Sequence, residues 1–266
     1  MRSNYCRFDI LSLRNSLFLF VCLFIIFGSH RVLADFDETT LNKAIDRAGL
    51  QRMLTQRMLK SYCQLGQDQF YIKPDEKLSE ALSRYEEGLN FLIDYKSIAG
   101  VEKSLDSINA IWPEYKELIT ATANKNNVPR LVKLNEELLS LSHQIVLNLQ
   151  KKSGKELGKI VNVAGRQRML TQRIELFYLL RDWGFDELYY IDRLNKSRKD
   201  FAEALIYLDN YPKNTNEIKL LLAKAKKSFH LFEHSLDDKN NAFLVSLTVG
   251  QLLGYMKKVT SIYSKM

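Results

Sequence analysis

From Thr39 onward, apolar residues recur three and four positions apart, and the alternation of a half-buried strand is missing. The pattern predicts helices over 39–66, 75–95, 101–123 and 129–152, and a second set over 154–182, 186–210, 215–236 and 240–264. Pro74, Pro129 and Pro212 fall at boundaries, where a missing N–H is tolerated. Pro113 falls inside the third helix and is expected to kink or restart it. The chain also repeats itself. Ala48 to Arg57 reads Ala-Gly-Leu-Gln-Arg-Met-Leu-Thr-Gln-Arg, and Ala164 to Arg173 matches it in nine of ten positions at an offset of 116. Leu78–Tyr95 aligns with Leu194–Tyr211, and Trp112 and Tyr115 align with Phe229 and Phe232. Four amphipathic helices with short connections make an up-down-up-down bundle. The expected fold is therefore all-α, with two tandem four-helix bundles over 35–152 and 153–266.

On a helical wheel, one stripe of the first helix carries Leu41, Ile45, Ala48, Gly49, Arg52, Gln56, Leu59 and Cys63. The same stripe of the fifth helix carries Leu157, Val161, Ala164, Gly165, Arg168, Gln172, Glu175 and Leu179. The opposite stripes are also apolar, through Leu50, Met53, Leu54 and Met58 in the first and Met169, Leu170 and Ile174 in the fifth. A helix apolar on two sides is buried on two sides. Arg52 and Arg168 thus sit among small or apolar neighbours, and an unpaired guanidinium is costly to bury. A carboxylate, a backbone cluster or a bound anion must neutralise each one. Ala48-Gly49 and Ala164-Gly165, one turn earlier, leave room for a close helix contact or a small ligand. Gln56 and Gln172, one turn later, add neutral donors. Arg57 and Arg173 lie about 140° round the helix, where ionic support of the bundle is their expected role. The plainer reading of the same residues is a packing notch beside an internal ion pair.

Charge and composition narrow the setting. Only 11 Gly and 4 Pro in 266 residues argue against a turn-rich β fold and against low complexity. The net charge of +8 at first suggests nucleic acid or an acidic membrane surface. Arg2, Arg7 and Arg14, however, precede an apolar run from Leu17 to Phe27 and then Val32-Leu33-Ala34, the layout of a secretory signal peptide over 1–34 with cleavage near Ala34. The expected location is the periplasm. Without that segment the body has 35 basic and 30 acidic residues, and nucleic acid is not an expected partner. Cys63 is then the remaining cysteine of the three, so no internal disulfide is expected.

The repeated decapeptide at the start of a long extracytoplasmic helix resembles the PilJ-type domain, the N-terminal sensor domain of type IV pilus methyl-accepting chemotaxis transducers. It is also similar to the nitrate/nitrite sensor kinases, whose periplasmic four-helix bundle carries a related motif. The resemblance is sharp over 44–60 and 160–176 and loose over 35–266, and it implies two tandem copies. In the nitrate sensors the matching arginine comes from both subunits and grips one anion. Carried over, Arg52, Arg168, Gly49 and Gly165 would be ligands, with nitrate or nitrite as first candidates; Gln56 and Gln172 match no ligand of those sensors but are counted with the expected ligands as neutral donors. A membrane-bound sensor or chemotaxis transducer is the implied partner, and a homodimer is possible. Those sensors continue into kinase or methyl-accepting segments, whereas this sequence runs to Met266, so capture or sensing is expected rather than signalling chemistry. A docking module without a small ligand is the alternative.

Whether one chain can pair the two arginines depends on the junction. If the fourth and fifth helices fuse, the motifs lie about 30 Å apart; if the chain reverses, the motif helices run parallel at one height. Lys151-Lys152-Ser153-Gly154-Lys155-Glu156 carries a C-terminal signal at Gly154 and a capping box of Ser153 with Glu156, and both favour a break. Elsewhere, His230 and His234 read as a surface pair without a third metal ligand. No phosphate loop, nucleophile elbow or acid–base set stands out, and neither an enzyme nor a cofactor is expected.

Overall fold

The computed structural model describes residues 36–236 and 241–266; the signal-peptide expectation for 1–34 lies outside them. Among the described residues there are eight α-helices and no strands: α1 Glu38–Gly66, α2 Pro74–Leu92, α3 Val101–Thr120, α4 Val128–Ser153, α5 Glu156–Asp182, α6 Leu188–Asp209, α7 Asn216–Ser235 and α8 Ala242–Tyr263. None of them is long and apolar enough to cross a membrane. The boundaries have local causes. Asp37 caps α1 by accepting from the Thr40 N–H at 2.6 Å, and Thr215 caps α7 through the Ile218 N–H. Pro74 opens α2, and Gly100, at φ +83°, turns the chain into α3. Pro113 does not restart α3, which runs through it. Pro113 and Asn109, whose carbonyl loses its helical donor, both lie on the exposed face, where water can replace the bond.

The duplication is visible in the packing. Tyr85 stacks on Trp112 at 4.6 Å, with Tyr115 beyond it; Phe201, Phe229 and Phe232 form the matching cluster, its first pair 4.5 Å apart. The Asn124 N–H donates to the Tyr62 hydroxyl at 2.9 Å, and the Asn241 N–H donates to the Tyr178 hydroxyl at 2.9 Å. In the first half α1 packs on α2 and α4, with α3 on α4; in the second, α5 packs on α6 and α8, with α7 on α8.

The most extensive helix contact joins the halves, between α1 and α5. Gly154 adopts φ +63° and ends α4, and α5 begins two residues later, so the chain reverses there. The capping box does not form. Ser153 closes α4 with a buried, unpaired hydroxyl, and Lys155 takes the N-cap position of α5 without a side-chain bond. Contacts along the seam climb together, from Arg52 with Asn162 through Gln56 with Arg173 to Lys60 with Glu175, so α1 and α5 run parallel. Both are buried nearly all round, as their double apolar stripes require.

Gly66 marks a tight point of this seam. A methyl group there would meet two indole carbons of Trp183 at 2.2 Å. Gly66→Ala should therefore lower stability by roughly 1–3 kcal/mol, read from the midpoint of urea unfolding. An unchanged midpoint would show that the indole swings away freely.

Candidate functional site

Reversal at Gly154 places the two copies of the motif face to face. A Cβ added at Gly49 would lie 3.3 Å from Arg52 Nη2, 3.5 Å from Arg168 Nη2 and 4.0 Å from Gly165 Cα. A Cβ at Gly165 would meet Arg168 Nη2 at 3.3 Å and Arg52 Nη2 at 3.6 Å. The two guanidiniums thus converge over the paired glycines, beside fully buried Ala48 and Ala164. Arg52 is 1% exposed and Arg168 6%.

Their partners come from the same position of the opposite helix, six residues before the arginine. Arg168 makes an ion pair with Asp46 Oδ1 at 2.6 Å and donates to the Asp46 carbonyl at 3.2 Å. Arg52 donates to Asn162 Oδ1 at 2.9 Å and to the Asn162 carbonyl at 3.3 Å. Asparagine stands where the other repeat has aspartate, so the symmetric cross-pairing leaves Arg52 without a carboxylate. Its third partner is His143 Nδ1, 3.1 Å from Nη1. The Nε atoms of both arginines are buried and unpaired. Of the two buried cations, Arg168 therefore has the Asp46 carboxylate and Arg52 only neutral partners. Burial, with the charges of Arg168 and Arg166, pushes the Arg52 pKa down to about 9, still protonated at neutral pH. A bound anion would relieve that strain.

His143 is the acid-sensitive member. Burial first, then Arg52 and Arg166, lower its pKa from 6.5 to about 4. The neutral ring accepts from Arg52 at Nδ1, which places its proton on Nε2. Below pH 6.5 the unfolded chain binds a proton that the folded one refuses until about pH 4. This contribution to stability is therefore complete above pH 6.5 and drains away as pH falls toward 4. His143→Gln should lose less stability than the parent between pH 7 and 4.5 in urea titrations; equal losses would contradict this role.

The remaining motif residues lie elsewhere on the seam. Gln56 is seven residues, about 10 Å, beyond Gly49. It accepts from Arg173 at 3.0 Å and donates to Thr55. Gln172 is buried with an unpaired Oε1. Arg173 grips Glu136 through both terminal nitrogens and lies 4.8 Å from the Phe177 ring centre, while Arg57 reaches Glu80 at 3.7 Å. Each of these two arginines thus meets a carboxylate of a neighbouring helix. Cys63 is wholly buried, and burial raises its thiol pKa well above the usual range. The rings of His230 and His234 lie 4.7 Å apart, tilted by 51°, with Glu233 turned toward Arg198.

Sequence reasoning missed Asp46, Asn162 and His143. The first two occupy equivalent positions of the repeats, so their substitution was readable; which helix they serve was not. Residues 38–136, from α1 into the first turns of α4, match the PilJ family model, described as the type IV pili methyl-accepting chemotaxis transducer N-terminal domain. The second decapeptide lies outside that span. No curated protein and no solved structure gives a match.

Proposed function

We propose that this chain is an extracytoplasmic sensor-type protein that captures one small anion between Arg52 and Arg168, its PilJ match at 38–136 being the premise. Occupancy would be read by a membrane-bound chemotaxis transducer or sensor. In this reading residues 1–34 are a cleaved signal peptide, the periplasm is the location, and the second half is a further PilJ-like copy. One observation carries the site: a guanidinium 1% exposed, lacking a carboxylate, faces a second guanidinium across two glycines. Nitrate and nitrite are the first candidates. They are small and flat, and their oxygens can accept from several guanidinium N–H groups at once. Both subunits of a homodimer need not contribute, because one chain supplies both arginines.

Calorimetry with nitrate, nitrite, chloride and sulfate tests the reading. A saturable heat is expected with a small planar anion, and none in the Arg52→Ala/Arg168→Ala variant with a native circular dichroism spectrum. Silence from every anion, or unchanged binding by the variant, would overturn it.

A docking module without a ligand draws on a different observation. Phe70, Tyr71 and Phe243 are more than half exposed, and the ring of Tyr71, between α1 and α2, lies 5.6 Å from that of Phe243 in the first turn of α8. Retained capture of a transducer by a chain that binds no anion would favour that reading.

A further inference from the structure

We propose that the cleft between α4, α5 and α6 is a second ligand site, for a small organic anion bearing two acidic groups on a short apolar body. Arg52 is common to this cleft and to the site between the two arginines, whereas Arg166, Arg193 and Lys196 line the cleft alone, and the inference rests on those rim cations. The cleft has a volume of about 230 Å³, smaller than the roughly 300–1,000 Å³ of pockets for drug-sized ligands. Arg52, Arg166, Arg173, Arg193 and Lys196 line it, against only two carboxylates, Glu136 and Asp200, so it carries an excess of three positive charges with His143 neutral. Leu139, Met169 and Leu170 supply apolar wall.

The cations lie at two depths. Arg52 is buried, whereas the side chains of Arg166, Arg193 and Lys196 are 43%, 40% and 69% exposed at the rim. The rim cations are anchored rather than free: Arg166 holds Asp200 at 2.7 Å, Lys196 approaches it at 3.5 Å, and Arg193 lies 3.6 Å from Glu136. Shared carboxylates leave donors on each cation for a ligand. A dianion spans both depths; a single acid satisfies only one.

Duplication does not explain this charge. Arg166 stands at the one position where the decapeptides differ, opposite Leu50, and Lys196 and Asp200 correspond to Glu80 and Arg84 in the first half. The second repeat has placed arginine where the first buries leucine, and the side chain opens into the cleft.

Titration calorimetry of the purified chain with succinate and malonate, and acetate as the single-acid control, provides the test. The expected result is saturable binding of a dicarboxylate at one per chain, with acetate at least tenfold weaker. Arg166→Leu, which installs the residue of the first repeat, and the surface change Lys196→Glu should each weaken it tenfold or more. Arg168→Leu, which removes one half of the arginine pair, should leave dicarboxylate affinity within about threefold while abolishing nitrate binding. No saturable heat with either dicarboxylate, or full affinity in a folded Arg166→Leu chain, overturns the proposal.

Discussion

Glu175→Leu should cost the fold about 3–5 kcal/mol, because it leaves Lys60 as an unpaired cation within the α1–α5 seam. Lys60 Nζ lies 2.9 Å from Glu175 Oε2, with both side chains at least nine-tenths buried. The carboxylate is fully used, for Ser246 donates to Oε1 at 2.7 Å and Gln64 donates to it at 3.3 Å. Removing one partner keeps the desolvation cost of the other and discards the attraction that offset it. Removing both is a different matter, since a well-packed apolar pair replaces a buried ion pair with little loss. The Lys60→Met/Glu175→Leu chain should therefore recover most of the stability in urea unfolding. Recovery would assign the pair to register between parallel helices, because one slip of the seam would separate the two charges. A double variant as unstable as Glu175→Leu would mean that the cost comes from the carboxylate's other bonds.

Gly49→Ala/Gly165→Ala should weaken anion binding at least 100-fold, about 2.7 kcal/mol, while leaving the fold as stable or more so. The added methyl groups occupy the space toward which both guanidiniums point. Added singly, each methyl meets nothing closer than 4.0 Å except the flexible arginine ends, which would shift by a few tenths of an ångström. Alanine also gains up to about 1 kcal/mol over glycine in a helix interior. A packing notch and a ligand space thus respond differently. Loss of binding without loss of stability identifies the ligand space; a chain that unfolds early identifies a notch that alanine already overfills.

The helices and most of their ends were legible because α1 and α5 need two apolar faces and the boundaries carry Asp37, Pro74, Thr215 and Gly154. Gly154 also foretold the reversal that joins the arginines. The failures came where local signals meet tertiary demands. Ser153 has the right neighbour for a capping box, yet it was needed to finish α4. Pro113 is tolerated because its lost bond faces water. Glu175 stood on the arginine stripe, but its pairing with Lys60 escaped notice because the two are not equivalent in the repeat: Leu59 and Leu176 occupy the matching places. Gln51 and Gln167 recur in the motif and are buried with both amide atoms unpaired, a feature no wheel could reveal. Gln56 was assigned to the arginine stripe by periodicity, but its amide is held by Arg173, whose reach across the seam depends on the register of α1 against α5.

The central claim is that one chain completes an anion site by pairing Arg52 with Arg168. Its most direct test is the stoichiometry of nitrate binding, with calorimetry and sedimentation run on the same sample. One anion per chain in a monomeric protein, lost in Arg168→Leu, is the predicted result. One anion per two chains, or binding that survives Arg168→Leu, would contradict it.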